Sequence, residues 1–152
     1  MLRVRIHGTS RGSIWVRLFD DADTDGGVVM TARDEVLMRG LIDWVPFQRV
    51  HVSVAREHAG EPLAVIQDKV LDLIRSLVTE GLFDIGDLAT EDNRFRAWDT
   101  TLDESIERVR DAYVNNFDDE TKWWFVCWLD LTEKGQPIAE AIEARAISAQ
   151  DG

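Results

Sequence analysis

The stretch KWWFVCWLDLTEKGQ, residues 122–136, places three tryptophans within six positions and then runs into a Thr and a Gly. In an extended chain, successive side chains point to opposite faces. Apolar residues would then occupy both faces of 123–131, which is typical of a strand that is covered on both sides. We therefore predict a core strand here, followed by a helix that starts between Thr132 and Gln136. One face carries Phe125, Cys127, Leu129 and Leu131, and the other carries Trp124, Val126, Trp128 and Asp130.

The tryptophans of this stretch admit two interpretations. Large aromatic side chains are usually buried, which favours a structural core. Trp123 and Trp124 also lie beside the acidic loop 118–120, and interface hot spots favour Trp, so they could anchor a partner. Stacking on single-stranded nucleic acid would require a basic groove, which the acidic neighbours do not provide. The candidate partner contacts are Trp98, Trp123 and Trp124.

Composition indicates one domain of ordinary polarity. The chain has 152 residues, of which 45% are hydrophobic. It has no apolar run long enough to span a membrane, and its first residues alternate Arg with apolar residues, unlike a signal peptide. A single cysteine, Cys127, excludes an internal disulfide and multi-cysteine metal sites, and we expect a buried, unreactive thiol. We expect a cytoplasmic protein without a cofactor and without membrane contact.

The net charge of −12 is unevenly distributed along the chain. Residues 1–60 carry eight arginines and eight acidic residues, whereas residues 61–152 carry nine basic and 21 acidic residues. A protein that grips DNA needs cations that neutralise phosphates. The second part of this chain would repel a duplex, although the early arginines could form a basic face if they cluster.

The periodicities predict an α+β fold. Residues 1–30 read as an N-terminal antiparallel β-hairpin or meander, residues 31–148 as the main domain, and residues 149–152 as a frayed tail. A strand is expected at 82–88 and a loop at 90–95. The second predicted helix also alternates Val residues, so a strand is the alternative there. Helices are predicted in 31–45, 46–60, 61–81, 100–117 and 132–148.

The order of these elements resembles the winged helix-turn-helix family. The third helix of that family ends in an "L..EGL" step, and its second wing strand ends in "LT.KG...A". The resemblance covers about residues 33–145, and it departs from the family because residues 89–122 insert a capped helix between the wing strands. The chain also resembles uncharacterised bacterial proteins with "DWV", "EGL" and "CWL" steps. The matching residues are Leu77, Glu80, Gly81, Leu82, Leu131, Thr132, Lys134, Gly135 and Ala139.

This resemblance implies DNA binding through the third helix and the wing. The third helix carries three acidic and two basic residues, which is an unfavourable charge for that role. Our first expectation is therefore a non-enzymatic protein–protein interaction module that acts as a homodimer or within a regulatory complex. The alternative is a DNA-binding transcriptional regulator. The candidate DNA contacts are Gln67, Lys69, Arg75 and Ser76 on the helix, with Arg94 and Arg96 at the wing.

Other motifs give no strong site. Residues 21–26, DADTDG, match the opening of a calcium loop, but Ala32 stands where a bidentate Glu is needed, so a solvated turn is expected. His51 and His58 are seven residues apart, about 10 Å along a helix, which is too far for one metal ion. The sequence contains no P-loop, Rossmann glycine pattern, HExxH or nucleophile elbow. We therefore expect no metal site and no enzymatic activity.

Overall fold

The computed structural model describes residues 30–89 and 91–151. The β-hairpin predicted for residues 1–30, apart from its last residue, and the calcium-like loop at 21–26 lie outside the described residues. The described part of the chain forms six helices and one four-stranded antiparallel sheet, which confirms a mixed α+β fold. The helices are α1 (Ala32–Gly40), α2 (Phe47–Glu57), α3 (Leu63–Thr79), α4 (Leu102–Tyr113), α5 (Glu120–Trp123) and α6 (Gly135–Asp151), and the strands are β1 (Val45–Pro46), β2 (Phe83–Ala89), β3 (Arg94–Ala97) and β4 (Trp128–Leu131).

The sheet has the strand order β1-β4-β2-β3, so the last strand in sequence lies inside the sheet. β4 pairs with β1 on one side and with β2 on the other, with Phe83 opposite Leu131 and Ile85 opposite Leu129. These residues are buried and form the core face, against which helices pack. The segment between β2 and β4 contains β3, α4 and α5.

A set of hydrogen bonds joins the end of α3 to the start of α6. Gly81 has φ +77°, and the amides of Gly81 and Leu82 bond back to the carbonyls of Val78 and Leu77, which is a Schellman ending that requires a left-handed residue. The Thr132 hydroxyl donates to the Gly81 carbonyl (2.6 Å) and accepts from the amide of the first residue of α6 (3.0 Å). The Thr132 amide bonds to Leu82 O (3.0 Å), so the two sequence steps EGL and LTEKG meet in space.

Gly135 is required at this junction for a steric reason. A Cβ atom built on Gly135 would lie 2.4 Å from the Leu82 carbonyl oxygen, which is closer than atoms can approach. The start of α6 therefore lies directly against the backbone at the α3–β2 step. Gly is normally unfavourable in a helical turn, but at this position the lack of a side chain allows the close contact.

The predicted strand over 123–131 is wrong in its first half. Residues 120–123 form the short helix α5, the chain turns at 124–127, and only Trp128–Leu131 is a strand. The cause is the N-terminus of α2, which follows Pro46 and has no side-chain cap. Its amides at Phe47 and Gln48 bond instead to the carbonyls of Cys127 and Trp124 (3.0 and 2.9 Å). The Trp124 carbonyl is thereby directed to the start of a helix instead of to a neighbouring strand.

The loop predicted at 90–95 is also wrong at its end, because β3 begins at Arg94. Asn93 adopts φ +53°, which Asn tolerates better than most residues and which lets the chain reverse tightly. β3 then pairs antiparallel with β2, with Leu88 opposite Phe95. The polar composition of residues 90–95 predicts a loop, although this stretch ends in the first residues of a short edge strand.

The helix predictions agree with the structure apart from their ends. The segment after Pro46 is helical rather than extended, which resolves the alternative at α2. The capping box of α4 is present, with Thr101 and Glu104 bonding reciprocally. α1 ends at Gly40, earlier than predicted, and α6 extends to Asp151, past the predicted domain limit at 148. Within the described residues, no helix is both long and apolar enough to cross a bilayer.

We predict that Thr132→Val lowers the free energy of unfolding by about 1–3 kcal/mol, because the variant loses two hydrogen bonds at the α3–α6 junction and keeps the shape of the side chain. Urea unfolding followed by tryptophan fluorescence measures the change. Thr79→Val, at an exposed position, is the matched control and should stay within about 0.5 kcal/mol of the wild type. Equal unfolding midpoints for the two variants would show that the two Thr132 hydrogen bonds do not stabilise the folded state.

Candidate binding groove

An aromatic cluster fills the space between α2, α4 and α5. Trp123 is 4% exposed and stacks on Phe117 with ring centroids 4.9 Å apart and planes at 14°. Its indole Nε1 donates to the Phe117 carbonyl oxygen (2.9 Å). Phe47 and Tyr113 contact the same ring edge to face or at a tilt. Trp123 therefore occupies the core position that burial of aromatics favours, and its ring is not presented on the surface.

His51 lies at the edge of this cluster and bonds to Tyr113. The distance between His51 Nδ1 and the Tyr113 hydroxyl is 2.5 Å, and the His51 ring also contacts Phe117 and Trp123. Burial lowers the pKa of His51 below its ordinary value, and burial raises the pKa of Tyr113. Both groups are therefore held neutral near pH 7. His58 bonds to Glu61 instead (2.9 Å), so the two histidines serve separate contacts.

From the buried cluster, a series of rings leads to the surface. The half-buried Trp124 meets Trp123 edge to face, with centroids 6.5 Å apart, and Phe125 meets Trp124 in the same way at 6.4 Å. Phe125 then stacks on Trp128, with centroids 5.6 Å apart and planes at 16°. Phe125 is 57% exposed, the highest value among the exposed large hydrophobic residues of the described chain. The sequence pattern had placed it on the buried face of a strand.

Phe125 and Trp128 form one wall of an open groove of about 700 Å³, here called the hairpin groove. The opposite wall is the β2–β3 hairpin, whose turn is shaped by Asn93. The lining combines an aromatic wall with a polar, partly acidic wall, which is a typical arrangement for a site that binds an amphipathic ligand. The residues that line the groove are Asp87, Leu88, Ala89, Glu91, Asn93, Arg96, Phe125 and Trp128.

Some of the charged residues at the hairpin groove form ion pairs, and others do not. Arg96 forms an ion pair with Asp92 (2.8 Å), and Asp87 lies 3.7 Å from Arg108 of α4. Glu91 is exposed and has no ion pair within the described part of the chain. Arg96 and Arg108 are thus already engaged by carboxylates of the hairpin, while the acidic Glu91 stays exposed.

Trp98 closes the hairpin near its base. Its backbone amide donates to Ile85 O (2.9 Å), and the guanidinium of Arg108 lies 4.0 Å from its ring centroid. This cation–π contact covers one face of the half-buried indole. Trp98 and Trp124 are thus partly accessible, whereas Trp123 is buried, and the three predicted contact residues do not form one continuous surface patch. Their role in binding stays a prediction.

The candidate DNA contacts are dispersed. Gln67 is 6% exposed and faces the core, so its amide cannot reach a base edge in this conformation. Arg75 is exposed but forms an ion pair with Asp103 of α4 (2.6 Å), a helix that packs beside α3. Lys69 is half-buried, and the neighbouring exposed stripe of α3 carries Asp68 and Asp72. Ser76 donates to Glu80, and Arg94 and Arg96 project from β3 as exposed residues.

Within residues 30–89 and 91–151, no cluster of three His, Cys, Asp or Glu side chains is arranged to hold a metal ion. Cys127 is fully buried, and burial raises its pKa above the ordinary value, with the charge of Asp87 acting in the same direction. A thiol in this setting is protonated and inaccessible, as expected for an unreactive cysteine.

No family model, no curated protein and no solved structure matches this chain. The residues of the hairpin groove are therefore the basis for a functional inference. Sequence reasoning missed Phe125 because it assumed a continuous strand from 123 to 131, in which Phe125 shares a face with Cys127. The sequence signal for this turn is Pro46. The helix α2 begins directly after it without a side-chain cap, so the first amides of α2 need hydrogen-bond acceptors from elsewhere in the chain.

We predict that the free energy of unfolding decreases as pH falls below about 6.5, the ordinary pKa of His. The folded state holds His51 neutral, so the unfolded chain takes up a proton first, and the loss continues down to the lowered pKa of the folded state. The slope for one group is at most about 1.4 kcal/mol per pH unit. Urea unfolding between pH 8 and pH 5 measures it.

His51→Gln removes the titrating ring and keeps a polar partner for Tyr113, so this variant should lose that part of the pH dependence. His58→Gln is the matched control, because His58 lies at a different contact. Parallel pH profiles for the wild type and His51→Gln would show that His51 does not contribute.

Proposed function

We propose that this chain is a non-enzymatic binding module that contacts a protein partner through the hairpin groove. The single observation that carries the proposal is Phe125, which is 57% exposed although it stacks on Trp128 and continues a series of rings into the core. An aromatic ring held rigidly at the mouth of a groove presents apolar area at little further entropic cost on binding.

The energetics of this surface support a protein contact. Complete burial of a side chain such as Phe contributes about 1.5–3 kcal/mol. Aromatic residues held in place by packing are typical hot spots of interfaces. Trp124 and Trp128 are half-buried beside Phe125 and would contribute further area. Trp123, one of the residues first considered as a contact, supports the surface from beneath by fixing the start of the 124–127 turn.

We also infer that the domain is winged-helix-like. In the described residues, three helices precede the β2–β3 hairpin, and β4 lies between β1 and β2. The two sequence steps that carry the resemblance form one hydrogen-bonded junction through Thr132. In this interpretation α4 and α5 are an insertion into the wing, and the insertion supports the proposed binding role because it packs against α3 and shapes the turn that presents Phe125. The N-terminal β element of residues 1–30 stays part of the proposed domain organisation.

We predict that Phe125→Ser weakens partner binding at least about tenfold while the free energy of unfolding changes by less than about 1 kcal/mol, because the ring is mostly exposed in the free protein. Immobilised wild-type and variant chains are compared for partner capture from a lysate, and self-association is measured in parallel by sedimentation equilibrium. Thermal unfolding of each variant reports its stability.

Leu63→Ser is the matched control, because Leu63 is 42% exposed on α3 and lies outside the groove. This variant should retain all captured proteins and the same association constant. If Phe125→Ser and Leu63→Ser give the same captured set and the same self-association, the groove is not a protein contact surface.

A DNA-binding regulator is the second candidate, and one observation favours it. Arg94 and Arg96 are exposed on β3, the second strand of the hairpin that follows α3, where a wing would touch phosphates. The observations against it are the acidic stripe of α3, the burial of Gln67 and the ion pair of Arg75 with Asp103. Charge neutralisation must precede any base contact, so the protein contact is the better supported function.

The DNA candidate predicts micromolar binding to a labelled random duplex at low salt, measured by fluorescence anisotropy. Binding should weaken steeply as salt rises, and the Arg94→Ala, Arg96→Ala double variant should reduce the salt slope by about 2. The double variant Arg110→Ala, Arg145→Ala is the matched control for net charge. Absence of binding at low salt would remove this candidate.

A further inference from the structure

A second, smaller cavity lies where α1 leads through β1 into α2, and it is here called the α2 cavity. Its volume is about 190 Å³, and it shares no lining residue with the hairpin groove. The connecting residues 42–46 form most of its lining, and Arg39 of α1 and Arg49 of α2 complete it. A cationic side chain from each flanking helix thus borders one small space in a chain whose net charge is −12.

Trp44 brings to this cavity a hydrogen-bond donor without an acceptor. The side chain is only 7% exposed, and its indole Nε1 is buried without a hydrogen-bond partner. The backbone amide of the same residue does have an acceptor, since it donates to Asp43 Oδ1 (2.8 Å). A buried N–H group that has lost water and gained no partner is unfavourable. A ligand oxygen in the cavity that Trp44 lines would supply the missing acceptor.

Arg49 brings a cation in an electrostatically unfavourable position. It is the third residue of α2, whose first turn carries no acidic residue and has no side-chain cap. The N-terminus of a helix carries partial positive charge, so a guanidinium there is destabilised unless an anion lies nearby. Arg49 is half-buried and forms no ion pair within residues 30–89 and 91–151. An anion in the α2 cavity would therefore stabilise both Arg49 and the start of α2.

The other charged residues around this cavity are already engaged. Arg39 lies 3.8 Å from the buried carboxylate of Glu35, which also forms an ion pair with Arg56 (3.1 Å). Asp43 uses one carboxylate oxygen for the Trp44 amide, and its side chain is exposed, so water weakens its repulsion of an anion. Arg49 is thus the cation of this lining that a ligand can engage without displacing another partner.

The size and the apolar part of the lining restrict the ligand. A volume of about 190 Å³ is below the about 300–1,000 Å³ of sites that take drug-sized ligands. Ile42, Val45 and Pro46 add apolar surface beside the two donors. A carboxylate that carries a short apolar group covers this surface and also meets the guanidinium in a bidentate way. A phosphate group has no apolar atoms with which to cover it.

We propose that the α2 cavity binds a small carboxylate that carries a short apolar group. The carboxylate accepts from the guanidinium of Arg49 and from Trp44 Nε1, and the apolar group contacts Ile42 and Val45. Two sources share this chemistry: a free branched short-chain acid, and the C-terminal residue of a peptide. The site is separate from the hairpin groove, and it does not depend on the protein contact proposed there.

The test follows the indole N–H signals of the ¹⁵N-labelled full chain by NMR. The chain has six tryptophans, and the signal that is absent in Trp44→Phe belongs to Trp44. The probe is sodium isovalerate, titrated at constant ionic strength with sodium chloride as the balancing salt. We expect the Trp44 signal to move downfield and to saturate with a low-millimolar Kd, because a charged acceptor forms the stronger hydrogen bond. The neutral isostere isovaleramide should bind at least about tenfold more weakly.

The first decisive variant is Arg49→Gln, which removes the charge and keeps a side chain of good helix propensity. Its Kd for isovalerate should rise at least about fivefold. Arg94→Gln is the matched control, because Arg94 is exposed on β3, at the opposite edge of the sheet from β1. The same charge change there should alter the Kd by less than about twofold.

The second variant, Trp44→Phe, removes the donor and keeps an aromatic ring in the lining. Saturation transfer to the methyl groups of isovalerate measures its binding, which should weaken at least about fivefold. Trp98→Phe is the matched control, since the Nε1 of Trp98 is also buried without a partner but lies at the base of the hairpin. Thermal unfolding of each variant reports whether it is folded.

N-acetylvaline distinguishes the two sources of the ligand. Tighter binding of N-acetylvaline than of isovalerate assigns the site to the end of a peptide chain, and equal or weaker binding assigns it to a free acid. The inference would be overturned by equal shifts with isovalerate and isovaleramide, by equal Kd values for Arg49→Gln and Arg94→Gln, or by no saturable movement of the Trp44 signal. Tighter binding of inorganic phosphate than of isovalerate would overturn the carboxylate preference.

Discussion

The junction made by Thr132 is the contact on which the rest of the fold depends. Its hydroxyl links the carbonyl that ends α3 to the amide that begins α6, and its own amide binds Leu82. These bonds join two segments about fifty residues apart and set β2 beside β4. Gly81 and Gly135 are required by backbone geometry rather than by side-chain chemistry, since one needs positive φ and the other leaves no space for a Cβ.

Once β4 is fixed beside β2, the uncapped start of α2 determines the shape of the preceding turn. The carbonyls of Trp124 and Cys127 accept from amides of α2, and the chain turns between these two residues before β4 begins. The turn buries Trp123 in the aromatic cluster and directs Phe125 outward onto Trp128. The exposed ring is thus a consequence of helix capping, and it is also the feature that supports a binding role.

The charge distribution gives this surface its character. The exposed Glu91 and the ion pair between Arg96 and Asp92 lie at the hairpin groove beside the rings of Phe125 and Trp128. α4 also reduces the available positive charge, since its Asp103 forms an ion pair with Arg75 of α3.

The amino-acid sequence by itself determined the elements that depend on local signals: the amphipathic helix α3 with its glycine ending, the capping box of Thr101 and Glu104, and the acidic charge of the second part of the chain. Hydrogen bonds and periodicity within a few residues carry that information. Only the tertiary structure decided where β4 begins, that β3 exists, and that Phe125 rather than Trp123 is exposed. Those features depend on partners distant in sequence, because a backbone carbonyl can serve a helix start or a strand, and the competition is settled only when the segments meet.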